Sequence, residues 1–176
     1  MSRRLSMSGI PVVSVVGRSG VGKTTLLEKI VKELKKRNYR IAVIKHDVHG
    51  FEMDRPGKDT WILAQAGADI VAISSPRKMA VIEKRSSEYG LDELAEKLTG
   101  VDLILTEGYK NEHKPKIEVY RAGIHQELLC RENELLALAS DVKWEMGIPC
   151  FSLDDAAGIA DELEKYMIEF NRREGV

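Results

Sequence analysis

Residues 17–25 read "GRSGVGKTT" and follow the apolar run "IPVVSVV" at 10–16. Gly17 through Thr24 fit G-x-x-x-x-G-K-S/T without a mismatch. Each residue type has a mechanical reason to be there. Glycines let the backbone curl until successive N–H groups point at phosphate oxygens. A helix opening near Gly22 adds the positive end of its dipole. Lys23 can reach the β- and γ-phosphates, and the Thr24 hydroxyl can ligate Mg²⁺. The remaining nucleotide contacts are expected from Gly17, Ser19, Gly20, Val21, Gly22 and Thr25. A nucleotide held this way serves either phosphoryl transfer or a change of shape shown to a partner.

The setting agrees with the loop. "PVVSVV" (11–16) reads as a buried strand. Residues 24–38 place Leu26, Leu27, Ile30, Val31 and Leu34 at helical spacing, with lysines on the other face. Further along, strands are expected at 39–45, 68–74, 78–83, 101–108, 116–121, 133–141 and 148–155. Residues 68–74 and 78–83 pair as a hairpin across "SPR". Helices are expected at 59–67, with Asp59 as N-cap and Gly67 as stop, at 91–100, and at 154–170. The alternating "KIEVYR" (116–121) is expected near a sheet edge. The pattern is α/β: one domain over 10–170 with a mostly parallel sheet flanked by helices, and short tails at 1–9 and 171–176. Such sheets bind ligands outside the carboxyl ends of their strands.

Bulk properties exclude several classes. The chain has 176 residues, 43% hydrophobic and 31% charged, with net charge −1. Nothing in that balance pulls the whole molecule toward nucleic acid or an anionic membrane. No apolar run approaches ~18 residues, so no membrane span is expected. The first residues lack a signal-peptide core, which makes the cytoplasm the expected location. Cys130 and Cys150 read as reduced, partly buried thiols.

A magnesium site needs an acid near the loop. "VDLILTEG" (101–108) offers Asp102 and Glu107. Five residues at ~3.3 Å each set them about 16 Å apart along a strand. Asp102 begins the strand, on the wrong side of the sheet. Glu107 ends it and is followed by a glycine, so it is the expected outer ligand or water-orienting acid. The loop "IKHDVHGFEMDRPGKD" (44–59) ends the second strand at the same edge. Its Lys45, His46, Asp47, His49 and Asp59 are candidates for sensing the γ-phosphate and metal, with Asp47 a further magnesium ligand. His46 and His49 have an H-x-x-H spacing, but no third ligand for a transition metal is evident. Trp61 reads as a core or interface anchor, Arg77 and Lys78 as solvated charges or phosphate contacts, and Arg18 as solvated or a finger toward a neighbouring subunit. The guanine-reading motif N-K-x-D is absent. Asp141, ending "ALASD" (137–141), is the candidate acceptor for guanine N1 and N2.

Four segments together resemble the molybdopterin-guanine dinucleotide biosynthesis protein B (MobB) family: "VVGRSGVGKTTLLEKIV", "AVIKHDVHGFEMDRPGKDTWILAQAGA", "DLILTEGYK" and "PCFSLDD". The resemblance runs from about Ile10 to Tyr166. The loop motif alone is generic. The K-H-x-x-H loop with its D-x-P-G-x-D continuation, and the E-G-Y/F-K strand end, are far more specific. The resemblance implies a P-loop NTPase-type three-layer sandwich. It implies a Mg²⁺-dependent GTP-binding adapter with at most slow GTP hydrolysis, working beside the guanylyltransferase that joins GMP to molybdopterin, and a homodimer. By position it carries over Gly20, Gly22, Lys23, Thr24 and Thr25 for nucleotide. Lys45, His46, His49, Asp54, Gly57 and Asp59 match the second motif, and Glu107, Gly108 and Lys110 the third. Lys23, Glu107 and Asp47 are the candidates for any catalytic role. Two alternatives stay open: a small-molecule kinase using ATP, with Asp47 or Glu107 as base, and an ATP-driven ligase of the dethiobiotin synthetase kind.

Overall fold

The computed structural model describes residues 9–175. The expected tail at 1–9 lies outside them except for Gly9. The described chain forms two compact units, one through His46 and from Leu91 onward, the other Asp47–Gly90.

The larger unit is a six-stranded sheet in the order β2-β5-β1-β6-β7-β8. Its strands are β1 (Val12–Val16), β2 (Ile41–Lys45), β5 (Leu103–Glu107), β6 (Lys116–Tyr120), β7 (Leu135–Ser140) and β8 (Cys150–Ser152). All five pairings are parallel. Parallel strands covered on both faces need apolar side chains in both directions, which is why "VVSVV" and "LILT" are near-continuous apolar runs. One face packs Val13, Val15, Leu103, Leu105, Ile117 and Val119 against α1 (Lys23–Lys36) and α4 (Ala156–Glu174). The opposite face packs Val12 and Ile104 against Leu91 and Ala95 of α3 (Leu91–Glu96). The result is three layers. The helix α4 begins at the N-cap Asp155, whose side chain accepts from the Gly158 N–H at 2.9 Å, and runs to Glu174, beyond the expected end at 170.

The strand β6 is not at an edge. It lies between β1 and β7 and is buried throughout. Its polar alternation misleads because the polar residues are satisfied inside. Lys116, 1% exposed, donates to Glu134 Oε1 at 3.1 Å. Glu118 is fully buried and accepts from the Leu129 and Cys130 amides at 2.7 and 2.9 Å. A buried charge survives when it is paired and hydrogen-bonded in this way.

The smaller unit holds α2 (Asp59–Gln65) and the antiparallel pair β3 (Ile70–Ser75) and β4 (Lys78–Glu83). The expected hairpin is present. Lys58, not Asp59, is the N-cap of α2, so Asp59 opens the first turn, where its charge still complements the dipole. The helix ends at Gln65 with Ala66 as its C-cap, short of the expected 67, and Gly67 follows with a left-handed φ of +113°. Other ends shift slightly: α3 stops at Glu96 and β8 spans three residues. Of the two thiols, Cys130 is buried and Cys150 is exposed, not half-buried.

Candidate functional site

Chain geometry makes the loop between β1 and α1. Gly17 has φ +149°, and a Cβ there would stand 2.6 Å from the Val119 carbonyl of the neighbouring strand. Only glycine allows that approach. Gly20 and Gly22 also have positive φ, +80° and +98°. Gly22 is the N-cap of α1 and offers no capping side chain. The first amides of α1 therefore keep their hydrogens for an external acceptor, with no acidic residue in the first turn to compete.

Lys23 folds back over the loop. Its Nζ donates to the Gly17 carbonyl at 3.0 Å and the Arg18 carbonyl at 2.9 Å. An ammonium has three donors, so one is left for a phosphate oxygen. The next residue, Thr24, donates from Oγ1 to Glu107 Oε2 at 2.9 Å across 83 residues of sequence. The sheet register explains the meeting: Glu107 ends β5 opposite Val15 of β1 and Lys45 of β2, all at the carboxyl edge. Asp102 sits at the other end of β5, accepting from the Arg40 N–H at 2.7 Å. The strand-length argument that separated the two acids matches this placement.

Just beyond Glu107 the chain turns sharply. Gly108 has φ +100° and a Cβ there would press on His46 Cβ at 3.3 Å. Tyr109 is left-handed too, at φ +56°, and its ring stacks on that of His46 at 4.7 Å. His46 also donates its backbone N–H to the Glu107 carbonyl at 3.1 Å. Lys45, His46 and Glu107 are thus brought together.

On the other side of the loop, a cavity of about 300 Å³ is lined by Gly22, Thr25, Lys29, Arg121, Asp141 and Asp154, among others. Asp141 follows β7 and accepts from the Ala122 N–H at 3.0 Å through Oδ1. The Lys29 ammonium hydrogen-bonded to Asp154 at 2.6 Å holds that carboxyl below the usual aspartate range. Arg121 follows β6 and donates from Nε to the Val21 carbonyl at 2.8 Å. Sequence reasoning did not single out Arg121, Lys29 or Asp154. The misplacement of β6 at an edge hid Arg121, which β6 in fact delivers beside β1. The pairing of "KIEVY" with β1 has no local signature in the sequence.

The candidates Asp47, His49, Asp54 and Asp59 belong to the smaller unit. There Asp47 Oδ1 accepts from the His49 N–H at 2.9 Å and Asp54 from the Arg55 N–H at 2.8 Å. Arg77 and Lys78 stand at the hairpin turn, where the Lys78 N–H donates to Ser75 Oγ at 3.1 Å. Among the described residues no group of three or more His, Cys, Asp or Glu side chains is placed to hold a metal. Magnesium asks less of a protein. It keeps several waters and takes phosphate oxygens, needing one or two protein ligands. Thr24 and Glu107 fit that role.

A glycine-lined loop between strand and helix, its lysine and threonine, and an acid at the end of the adjacent parallel strand define an α/β protein of the P-loop NTPase fold. Comparison with known proteins narrows the class. The family model described as molybdopterin guanine dinucleotide synthesis protein B matches residues 12–141. The chain belongs to this MobB family. It is 35% identical over 164 residues to the molybdopterin-guanine dinucleotide biosynthesis adapter protein of Haemophilus influenzae, covering 92% of both chains. It is 36% identical over 168 residues to the adapter protein of the same description from Escherichia coli, covering 92% of this chain and 96% of that one. A crystal structure of molybdopterin-guanine biosynthesis protein B superposes with TM-score 0.68 at 30% identity, over 89% of this chain and 98% of that chain.

Proposed function

We propose that this chain binds Mg·GTP and acts as an adapter in molybdopterin guanine dinucleotide biosynthesis, with at most slow GTP hydrolysis. Membership of the family and its adapter relatives support the pathway and the adapter role over the kinase and ligase alternatives. The observation that carries the nucleotide reading is the Thr24–Glu107 hydrogen bond. It holds a hydroxyl oxygen and a carboxylate together beside the phosphate loop, and these two side chains would hold magnesium there. The loop glycines, the uncapped start of α1 and the third donor of Lys23 would hold the triphosphate. Asp141 would accept from guanine.

In this proposal Lys45, His46, Asp47, His49 and Asp59 would be the side chains that sense the γ-phosphate, and residues 46–59 would thereby change the surface shown to a partner. Asp47 would add to the magnesium shell. That partner is the guanylyltransferase that consumes GTP, with molybdopterin as a further candidate ligand. Hydrolysis stays slow because phosphoryl transfer draws its rate from positioned charge, and Arg18 is exposed. A homodimer in the cytoplasm completes the proposal. The dimer is supported by the exposed Ile62, Leu63, Ile70, Ile73, Met79 and Val81 of the smaller unit, apolar surface of the kind that subunit contacts bury.

Calorimetric titration of GTP and ATP, with and without Mg²⁺, tests the nucleotide reading. Micromolar GTP binding, about 8 kcal/mol, should be largely lost in Lys23→Ala. Undiminished binding by that variant, or no GTP binding by the wild type, would refute it. ATP binding as tight as GTP would favour the kinase. Co-purification with the guanylyltransferase that strengthens with GTP tests the adapter role, and sedimentation tests the dimer.

A further inference from the structure

We propose that Arg121 is the specificity residue of the nucleotide site, reading the O6 atom of guanine and turning away adenine. This rests on the GTP-binding reading above and names how the same site chooses its base.

Placement comes from the sheet. In the parallel pairing of β1 and β6, Val16 lies opposite Glu118. The phosphate loop leaves β1 after Val16, and β6 continues two residues past Glu118 to Tyr120. Arg121 therefore emerges beside the loop, at the ligand-binding edge. Its side chain is oriented by one bond, Nε to the Val21 carbonyl at 2.8 Å. Its Nη2 lies 3.6 Å from where a Cβ on Gly22 would be. A planar guanidinium fixed through Nε keeps its two terminal nitrogens in a set direction. Among the described residues those nitrogens form no ion pair. Arg121 lines the cavity whose wall also holds Asp141 and Asp154. At about 300 Å³ this cavity is at the lower end of small-ligand clefts, ~300–1,000 Å³.

The two charged groups of that wall that follow β6 and β7, Arg121 and Asp141, form a definite pattern. Arg121 only donates. Asp141 only accepts, with Oδ1 held by the Ala122 amide and Oδ2 free of that bond. Ser140 Oγ is already engaged by the Val142 N–H at 3.0 Å and Trp144 Nε1 at 3.2 Å. A donor beside a carboxylate complements guanine, whose O6 accepts while N1 and the 2-amino group donate. Adenine inverts the pattern. Its 6-amino group donates where Arg121 also donates, and its N1 accepts where Asp141 also accepts. A donor left facing a donor, and an acceptor facing an acceptor, lose their bonds, which is how a polar site discriminates between ligands. The chain lacks N-K-x-D. Arg121 supplies the O6 donor that Asp141 alone cannot.

The test is a calorimetric series on the full chain with Mg²⁺. GTP, ITP, ATP and 2,6-diaminopurine riboside triphosphate are each titrated into wild type, Arg121→Gln and Arg121→Ala. GTP and ITP share O6, while the other two carry a 6-amino group. Wild type should bind the O6 pair about 10- to 100-fold more tightly than the 6-amino pair. A glutamine amide both donates and accepts, so Arg121→Gln should bring GTP and ATP within about threefold. Diaminopurine triphosphate binding wild type as tightly as GTP would overturn the proposal. So would a wild-type GTP-to-ATP ratio kept by Arg121→Gln, or equal losses of GTP and ATP in Arg121→Ala, the mark of a phosphate contact. Should Arg121→Ala fail to fold, the polar Arg121→Gln and the wild type together carry the test. Should wild type bind no nucleotide, the GTP-binding reading itself fails. Should it bind GTP with the ratio indifferent to residue 121, only the role of Arg121 fails.

Discussion

In the larger unit every residue of β1 and β6 is buried, whereas in the 47–90 unit Val71 is the one buried residue and β4 is exposed along its length. The two units come from one chain but differ in what holds them. The larger has strands covered on both faces and helices of 14 and 19 residues packed on them. The smaller has a two-stranded hairpin and a helix of seven residues. An isolated hairpin and a two-turn helix are each marginal in water. The phosphate loop therefore hangs from a rigid frame. The candidate sensing residues Asp47, His49 and Asp59 belong to a segment whose own contacts leave it near the low end of local stability. Segments at that end are the ones ligands and partners can reset.

That contrast can be broken by experiment. The largest effect should appear in native-state hydrogen exchange. Amides of β1, β5 and β6 should exchange only through global opening, about 5–15 kcal/mol. Those of β3 and β4 should exchange orders of magnitude faster, and equal protection would erase the contrast. Next comes side-chain truncation read by chemical denaturation. Ile30→Ala, at a fully buried position, should cost about 2–5 kcal/mol. Ile73→Ala, at a residue 58% exposed, should stay within about 0.5 kcal/mol. Gly17→Ala forces a Cβ against the Val119 carbonyl and should cost about 1–3 kcal/mol and weaken GTP binding. Equal stability and affinity would show that the loop tolerates another path.

The smallest effect concerns the thiols. Burial pushes Cys130 up to about 12. The folded state thus keeps its proton where the unfolded state loses it, so this contribution to stability is whole below the ordinary thiol pKa and lost as pH rises toward about 12. Thiol reagents at pH 8 should label Cys150 and spare Cys130 until the larger unit unfolds. Labelling of Cys130 at the rate of Cys150 would contradict its burial.

Sequence made the nucleotide edge legible because its signals are local or follow from strand length. The loop motif is eight contiguous residues, and choosing Glu107 over Asp102 needed only the rise of a strand. The element order, the hairpin and the layers followed from period and spacing. Sequence hid the interior polar pairs. Lys116 and Glu118 looked like a solvent face because their partners, Glu134 and the amides of Leu129 and Cys130, come from a distant loop. That one misreading moved β6 to an edge and took Arg121 out of view. Likewise Asp59 resembled an N-cap because cap and first-turn positions favour the same acidic residue, and only backbone geometry separates them.

The left-handed pair Gly108–Tyr109, with His46 stacked against it, has a meaning for anyone moving these parts between scaffolds. Residues 47–90 form a cassette spliced in after β2, and the splice is shaped by side chains more than sixty residues downstream. A recipient that takes β2 with His46 but carries an alanine at the position of Gly108 would press a methyl group on the His46 Cβ at 3.3 Å. The transplantable exit is discontinuous: β2 with its His46 has to travel together with β5 and the Gly108–Tyr109 turn.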